Sequence, residues 1–215
     1  MTQTHTDDYE RADGRGIRVT FAEPEGSVRG GLVVLHEADV VTDTVRLLLT
    51  GLAGEGWLAI APHLASRGGE LGVDDVLAAT DIALAWLADR GVRADLMGIV
   101  GFDLGGTAAL VVASSRTLGA AVSVGGRGIS TPVSAELPAL VDIAGRLTSP
   151  WLGLYGDAGE EGGADVEALR EAAGAATVAA NVVRFPGTDH RFDADPEAAE
   201  QAWQRTLDWF DAHLR

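Results

Sequence analysis

Ile99-Val100-Gly101-Phe102-Asp103-Leu104-Gly105-Gly106 decides how this chain folds. The apolar run from Leu96 to Val100 reads as a buried strand, and an apolar helical pattern follows from Thr107 to Ala113. Between them, Gly-x-Asp-x-Gly-Gly has the spacing of a nucleophile elbow. Its glycines permit strained backbone angles and a close approach of strand to helix. The tip residue of such a turn stands at a helix N-terminus, where backbone N–H groups stabilise an anion. Serine or cysteine usually occupies the tip; here it is Asp103. An ordinary glycine-rich βα turn is the plainer reading of the same residues.

Working outward, strand-like and helix-like segments alternate. Ile17 to Phe21 reads as an edge strand and Leu32 to Leu35 as a strand buried on both faces. A helix is expected from Val40 to Ala53, a strand from Trp57 to Ala61, and a helix from Val73 to Asp89. Three strands follow the elbow: Ala120 to Val124, Trp151 to Tyr155 and Val182 to Phe185, with a helix from about Asp165 to Gly174. Asp195-Pro196 opens the last helix as N-cap and first-turn proline, with Ala199, Trp203, Leu207, Phe210 and Leu214 on its inner stripe. This order predicts an α/β fold, a mostly parallel sheet with helices on both faces. Residues 1–15 are expected to be a loose polar lead-in, and 16–215 one domain with no separate cap domain.

Composition narrows the function. The chain has 215 residues and a formal net charge of -16, and all its 16 strongly basic residues are arginine. That acidity disfavours nucleic acid and anionic membrane as partners. Without lysine there is no lysine Schiff base, and without cysteine no thiol nucleophile or thiolate metal site. No run reaches membrane-spanning length and no signal pattern opens the chain, so a cytoplasmic location is expected. A homo-oligomer is left open.

In open α/β sheets, chemistry gathers beyond the carboxyl ends of the strands. Those ends deliver His36 and Glu37, then His63, then Asp103, then the acidic loop with Asp157, Glu160 and Glu161, and finally His190 in Pro186-Gly187-Thr188-Asp189-His190. Nucleophile, acid, histidine is the chain order of an α/β-hydrolase triad. His36 and His63 read more readily as hydrogen-bonded core residues than as ligands, and their spacing matches no standard metal site. No metal is expected.

Four segments together resemble the dienelactone hydrolases: Val33-Val34-Leu35-His36-Glu37, Ala61-Pro62-His63-Leu64, Val100 to Gly106, and Arg184 to His190. The resemblance implies a single-domain α/β-hydrolase fold, a small-molecule substrate and no cofactor. It carries His190 over as the catalytic histidine. It matches Glu37 to a glutamate that meets the family's resting thiol, and Arg67 to an arginine that helps hold a substrate carboxylate. His63 joins Arg67 as a candidate substrate contact. Two departures stand out. The family's elbow cysteine is Asp103, and the place of its triad acid falls on Gly159. Asp157 or Glu160 is the candidate replacement acid.

These residues allow three chemistries. Asp103 can attack a saturated carbon to give an alkyl-enzyme ester, with His190 activating water and the N–H groups of Leu104 and Ala38 as oxyanion hole. Haloalkane dehalogenases and epoxide hydrolases resemble this in using an elbow aspartate; Tyr9 and Tyr155 are this chain's only tyrosines for polarising an epoxide. Alternatively Asp103 orients His190 as a general base, for elimination, isomerisation or cyclisation. The third reading is an inactive binding protein that kept the fold. Hydrolysis, with Asp103 as nucleophile or acid–base group beside His190, is the expectation the resemblance favours.

Overall fold

Leu32 and Val34 pack on one side of the sheet while Val33 and Leu35 pack on the other, so consecutive apolar residues in one strand feed two separate cores. The computed structural model describes residues 3–36, 40–64, 71–159, 161–190, 192 and 195–214. Eight strands form one sheet: β1 (Thr4–Glu10), β2 (Gly16–Ala22), β3 (Gly30–Leu35), β4 (Trp57–Pro62), β5 (Met97–Phe102), β6 (Ala120–Val124), β7 (Trp151–Gly156) and β8 (Ala180–Phe185). Their order is β1-β2-β4-β3-β5-β6-β7-β8. The pairs β1–β2 and β2–β4 are antiparallel and all the others parallel.

Helices α1 (Asp43–Gly54) and α6 (Pro196–His213) cover one face, packing on Leu32, Val34, Val100 and Val122. The other face carries α2 (Val73–Asp89), α3 (Leu104–Ala113), α4 (Leu140–Ala144) and α5 (Gly163–Ala173). Helix α3 is buried at every position from Gly105 to Ala113, which explains why its sequence is apolar apart from Thr107. None of the described helices is long and apolar enough to cross a membrane.

The N-terminal expectation needs correction. Thr4–Glu10 is not loose but pairs with β2 from Thr4↔Ala22 to Glu10↔Gly16, so the strand expected at the edge lies one place inside it. Polar outer residues hid this strand from a hydrophobic reading. Tyr9 ties it down by donating a 2.5 Å hydrogen bond from its hydroxyl to Asp89 at the end of α2. Burial and that carboxylate push the Tyr9 phenol up to about 12. Helix α1 begins later than expected because Thr42 caps it, its Oγ1 accepting from the Val45 N–H. On α6 the buried stripe is Ala198, Ala202, Thr206, Leu207 and Phe210, while Ala199 and Trp203 are half-buried at its edge. Asp195 caps α6 as expected, accepting from Glu197 and Ala198.

The strand–helix turn between β5 and α3 is packed backbone to backbone. A Cβ on Gly101 would lie 1.8 Å from the Gly105 carbonyl oxygen, and one on Gly105 would lie 2.2 Å from the Leu35 carbonyl oxygen. Both obstacles are backbone, so neither can rotate away. Gly105→Ala should therefore cost about 3 kcal/mol or more. Gly54→Ala, at the end of α1 with nothing within 4 Å of a new Cβ, should stabilise by about 0.5 kcal/mol. Urea midpoints of the two variants check this, and equal midpoints would contradict it.

Candidate active site

Asp103 sits between β5 and α3 with φ 54° and ψ −122°, a conformation L-residues avoid. The surroundings hold it there. Its N–H bonds the Val124 carbonyl at 3.0 Å, and its own carbonyl accepts from the Gly106 and Thr107 N–H groups. A buried chain continues from Trp151 Nε1 to Ser123 Oγ and on to the Gly106 carbonyl. The side chain is thus presented at the N-terminus of α3, beside the Leu104 N–H, one of the helix donors without an intrahelical acceptor.

His190 arrives from the other end of the chain, and two glycines admit it. A Cβ on Gly125, which has φ +59°, would lie 1.7 Å from the His190 carbonyl oxygen. One on Gly156 would lie 2.2 Å from the Thr188 carbonyl oxygen. The loop after β8 therefore rests directly on the carboxyl ends of β6 and β7. Ala158 N–H to Thr188 O and Phe192 N–H to Asp189 O hold it further, and Phe192 meets Phe185 edge to face. This seat brings His190 Nε2 to 3.3 Å from Asp103 Oδ2. Asp103 is buried, whereas the His190 side chain is 47% exposed.

His190 lines a cavity of about 660 Å³ together with Arg127, Ser130, Glu161 and Asp189, and Gly159 forms part of its wall. Asp103 is not among the residues that line this cavity but stands in contact with His190, which is. Arg127 is a functional candidate that the sequence reading missed. Its Nε lies 3.8 Å from Asp103 Oδ1, on the carboxylate oxygen that His190 does not approach. The signal available in sequence was only a glycine-flanked arginine just past β6, Gly125-Gly126-Arg127-Gly128.

The other candidates are placed as follows. Asp157 accepts from the Gly187 N–H at 2.6 Å and pairs with Arg184 at 3.3 Å, bracing β7 against β8. Glu161 accepts from the Ile129 N–H at 2.6 Å. His63 Nε2 meets Thr20 Oγ1 at 3.0 Å, tying β4 to β2. The Tyr155 hydroxyl is buried without a hydrogen-bond partner among the described residues, and burial raises its pKa. Tyr9 lies on β1, bound to Asp89. Glu37, Ala38, Arg67 and Glu160 lie outside the described residues. Among the described residues no group of three or more His, Cys, Asp or Glu could hold a metal ion.

The strand order, the strained turn and the histidine loop facing it define an α/β-hydrolase. The chain belongs to the dienelactone hydrolase family, whose family model matches residues 17–214. A "Putative carboxymethylenebutenolidase" of Yersinia pestis is 33% identical over 209 residues, covering 85% of this chain and 78% of that protein. A protein of the same name from Salmonella typhimurium is 33% identical over 231 residues, covering 93% and 84%. Among solved structures, a "Putative Dienelactone Hydrolase" from Klebsiella pneumoniae superposes with a TM-score of 0.83 at 30% identity, covering 97% of this chain and 98% of that one.

His36, at the end of β3, gives the fold a pH dependence. It is buried, with Nε2 3.1 Å from the Pro62 carbonyl oxygen. Burial lowers its pKa to about 4; the Pro62 hydrogen bond opposes this and His63 adds to it. As pH falls below about 6.5, the unfolded chain binds a proton at this histidine while the folded chain does not. Stability is therefore lost as pH falls from about 6.5 to 4, by up to about 3 kcal/mol from this residue. In urea titrations across that window His36→Gln should lose less stability than wild type; parallel curves would mean that His36 titrates freely.

Proposed function

We propose that this chain is a hydrolase of small esters or lactones in which Asp103 and His190 work as a general-base pair. The observation that carries the reading is the 3.3 Å contact between Asp103 Oδ2 and His190 Nε2, with His190 rather than Asp103 facing the cavity. Asp103 accepts a hydrogen bond from the Nε2–H, which fixes the ring and leaves Nδ1 as the basic nitrogen. Nδ1 takes a proton from water as its oxygen attacks the substrate carbonyl, and the carbonyl oxygen becomes an oxyanion. The N–H of Leu104, at the N-terminus of α3, is its donor. Collapse expels the alkoxide, which recovers the proton from His190. The relatives' name, "Putative carboxymethylenebutenolidase", makes a butenolide-type lactone the first substrate to test.

The strained backbone at Asp103 favours a second reading, because the tip of such a turn is where α/β-hydrolases carry their nucleophile. There Asp103 attacks a saturated carbon, and His190 activates the water that hydrolyses the resulting ester.

Both readings need His190, and they differ in the fate of solvent oxygen. With p-nitrophenyl acetate and an unsaturated lactone as substrates, His190→Asn should lower kcat by about a thousandfold and Asp103→Asn by about a hundredfold. In single turnover in ¹⁸O-water the general-base route leaves the peptide containing Asp103 unlabelled, whereas the nucleophile route labels its carboxylate. Wild-type rates in His190→Asn would remove both readings.

A further inference from the structure

Arg127 and His190 approach different oxygens of the same carboxylate, Arg127 Nε at 3.8 Å from Oδ1 of Asp103 and His190 Nε2 at 3.3 Å from Oδ2. We propose that Arg127 is a positioning residue that sets the charge state of this pair, holding Asp103 ionised and His190 neutral. The assignment rests on the reading of Asp103 and His190 as the working pair. A carboxylate touching an imidazole raises its affinity for a proton, and a protonated His190 has no lone pair with which to take one from water. A guanidinium is charged at every working pH. Placed on the far oxygen, it offsets part of the carboxylate's field at His190 while favouring the ionised form of Asp103.

The position of Arg127 is built rather than incidental. Thr107 is fully buried on α3, one helical turn beyond Asp103, and its N–H bonds the Asp103 carbonyl. Its hydroxyl donates to the Arg127 carbonyl at 2.6 Å and accepts from the Arg127 N–H at 2.9 Å. One buried hydroxyl thus spends both of its hydrogen bonds on the backbone of a residue whose side chain is half exposed. Gly126 makes the approach possible, since a Cβ there would lie 3.0 Å from the Gly106 carbonyl carbon and 3.1 Å from the Thr107 nitrogen. The short helix segment that carries Asp103 therefore also fixes the backbone that carries Arg127.

Other charged groups surround the pair. Asp189 precedes His190, and both line the cavity with Glu161 and Asp165. Glu161 is held by the Ile129 N–H, Asp165 by Ser130 and the Gly162 N–H, and Asp157 by Arg184 and the Gly187 N–H. His36, at the end of β3, stays neutral down to about pH 4. Glu37, Arg67, Glu160 and Arg191 lie outside the described residues. All are common to wild type and variants, so a change on altering Arg127 reports Arg127.

The test is an NMR titration of the His190 ring in the full chain, its signal among five histidines assigned by its loss in His190→Gln. Arg127→Gln should raise the His190 pKa by about half a unit to one unit. The acid limb of kcat/KM for p-nitrophenyl acetate should move up by the same amount. Arg127→Lys should restore most of the shift. Thr107→Val should reproduce part of it and Thr107→Ser none; if Thr107→Val fails to fold, the exposed Arg127 variants decide alone. An unchanged or lowered His190 pKa in Arg127→Gln overturns the assignment, even if the rate falls. If the pKa moves but His190→Gln hydrolyses at the wild-type rate, the charge assignment stands and the hydrolase reading falls.

Discussion

No methyl group fits between Gly101 and Gly105, because strand β5 and helix α3 meet there backbone to backbone, and α3 in turn lies against the Leu35 carbonyl of β3. This contact forces the chain to reverse within one residue, and that residue, Asp103, takes up a positive φ as a consequence. A side chain in such a position cannot fold back along its own strand or helix. It projects from the carboxyl edge of the sheet at the start of α3, with the first N–H groups of the helix beside it. Its tolerance of the strain comes from the fully buried helix behind it and from the hydrogen bonds on both sides of Asp103.

The same device is used twice more at neighbouring strand ends. Gly125 and Gly156 close β6 and β7 against the loop that carries His190, and that contact sets the distance from imidazole to carboxylate. Three glycine-mediated backbone contacts thus position two side chains that lie far apart in the chain. Arg127 joins them through a fourth contact, between Gly126 and the first turn of α3. The polar groups of the site are held by backbone packing rather than by long side-chain networks, which suits a site that must be placed accurately and still have one face open.

Placing a carboxylate at the turn changes what the neighbouring charges do. A thiol at that position would need a base to ionise it; a carboxylate is a weaker nucleophile, and here it stands 3.3 Å from the His190 ring. The half-exposed His190 and Arg127 both line the cavity and approach different oxygens of the buried Asp103 carboxylate. Asp157 accepts from the Gly187 N–H and pairs with Arg184, bracing β7 against β8.

Much of this was legible in the residues. Continuous apolar runs marked β3 to β7, the Asp195-Pro196 cap marked α6, and Gly-x-Asp-x-Gly-Gly marked the turn, because each is a local demand of burial, capping or backbone angle. The family resemblance singled out His190 as well. Strand β1 was not legible, since an edge strand with exposed polar residues has no hydrophobic period and is stabilised by pairing with β2. Nor was Arg127, whose exposed side chain obeys no pattern; only the folding of β6 beside β5 and the grip of Thr107 bring it to Asp103. The sequence determined most of the strands and helices, β1 and α4 excepted, and where the strained turn lies, because those are short-range properties. The meeting of Asp103, His190 and Arg127 was decided by the tertiary structure alone, because it depends on the order of the strands and on close contacts between residues remote in the chain.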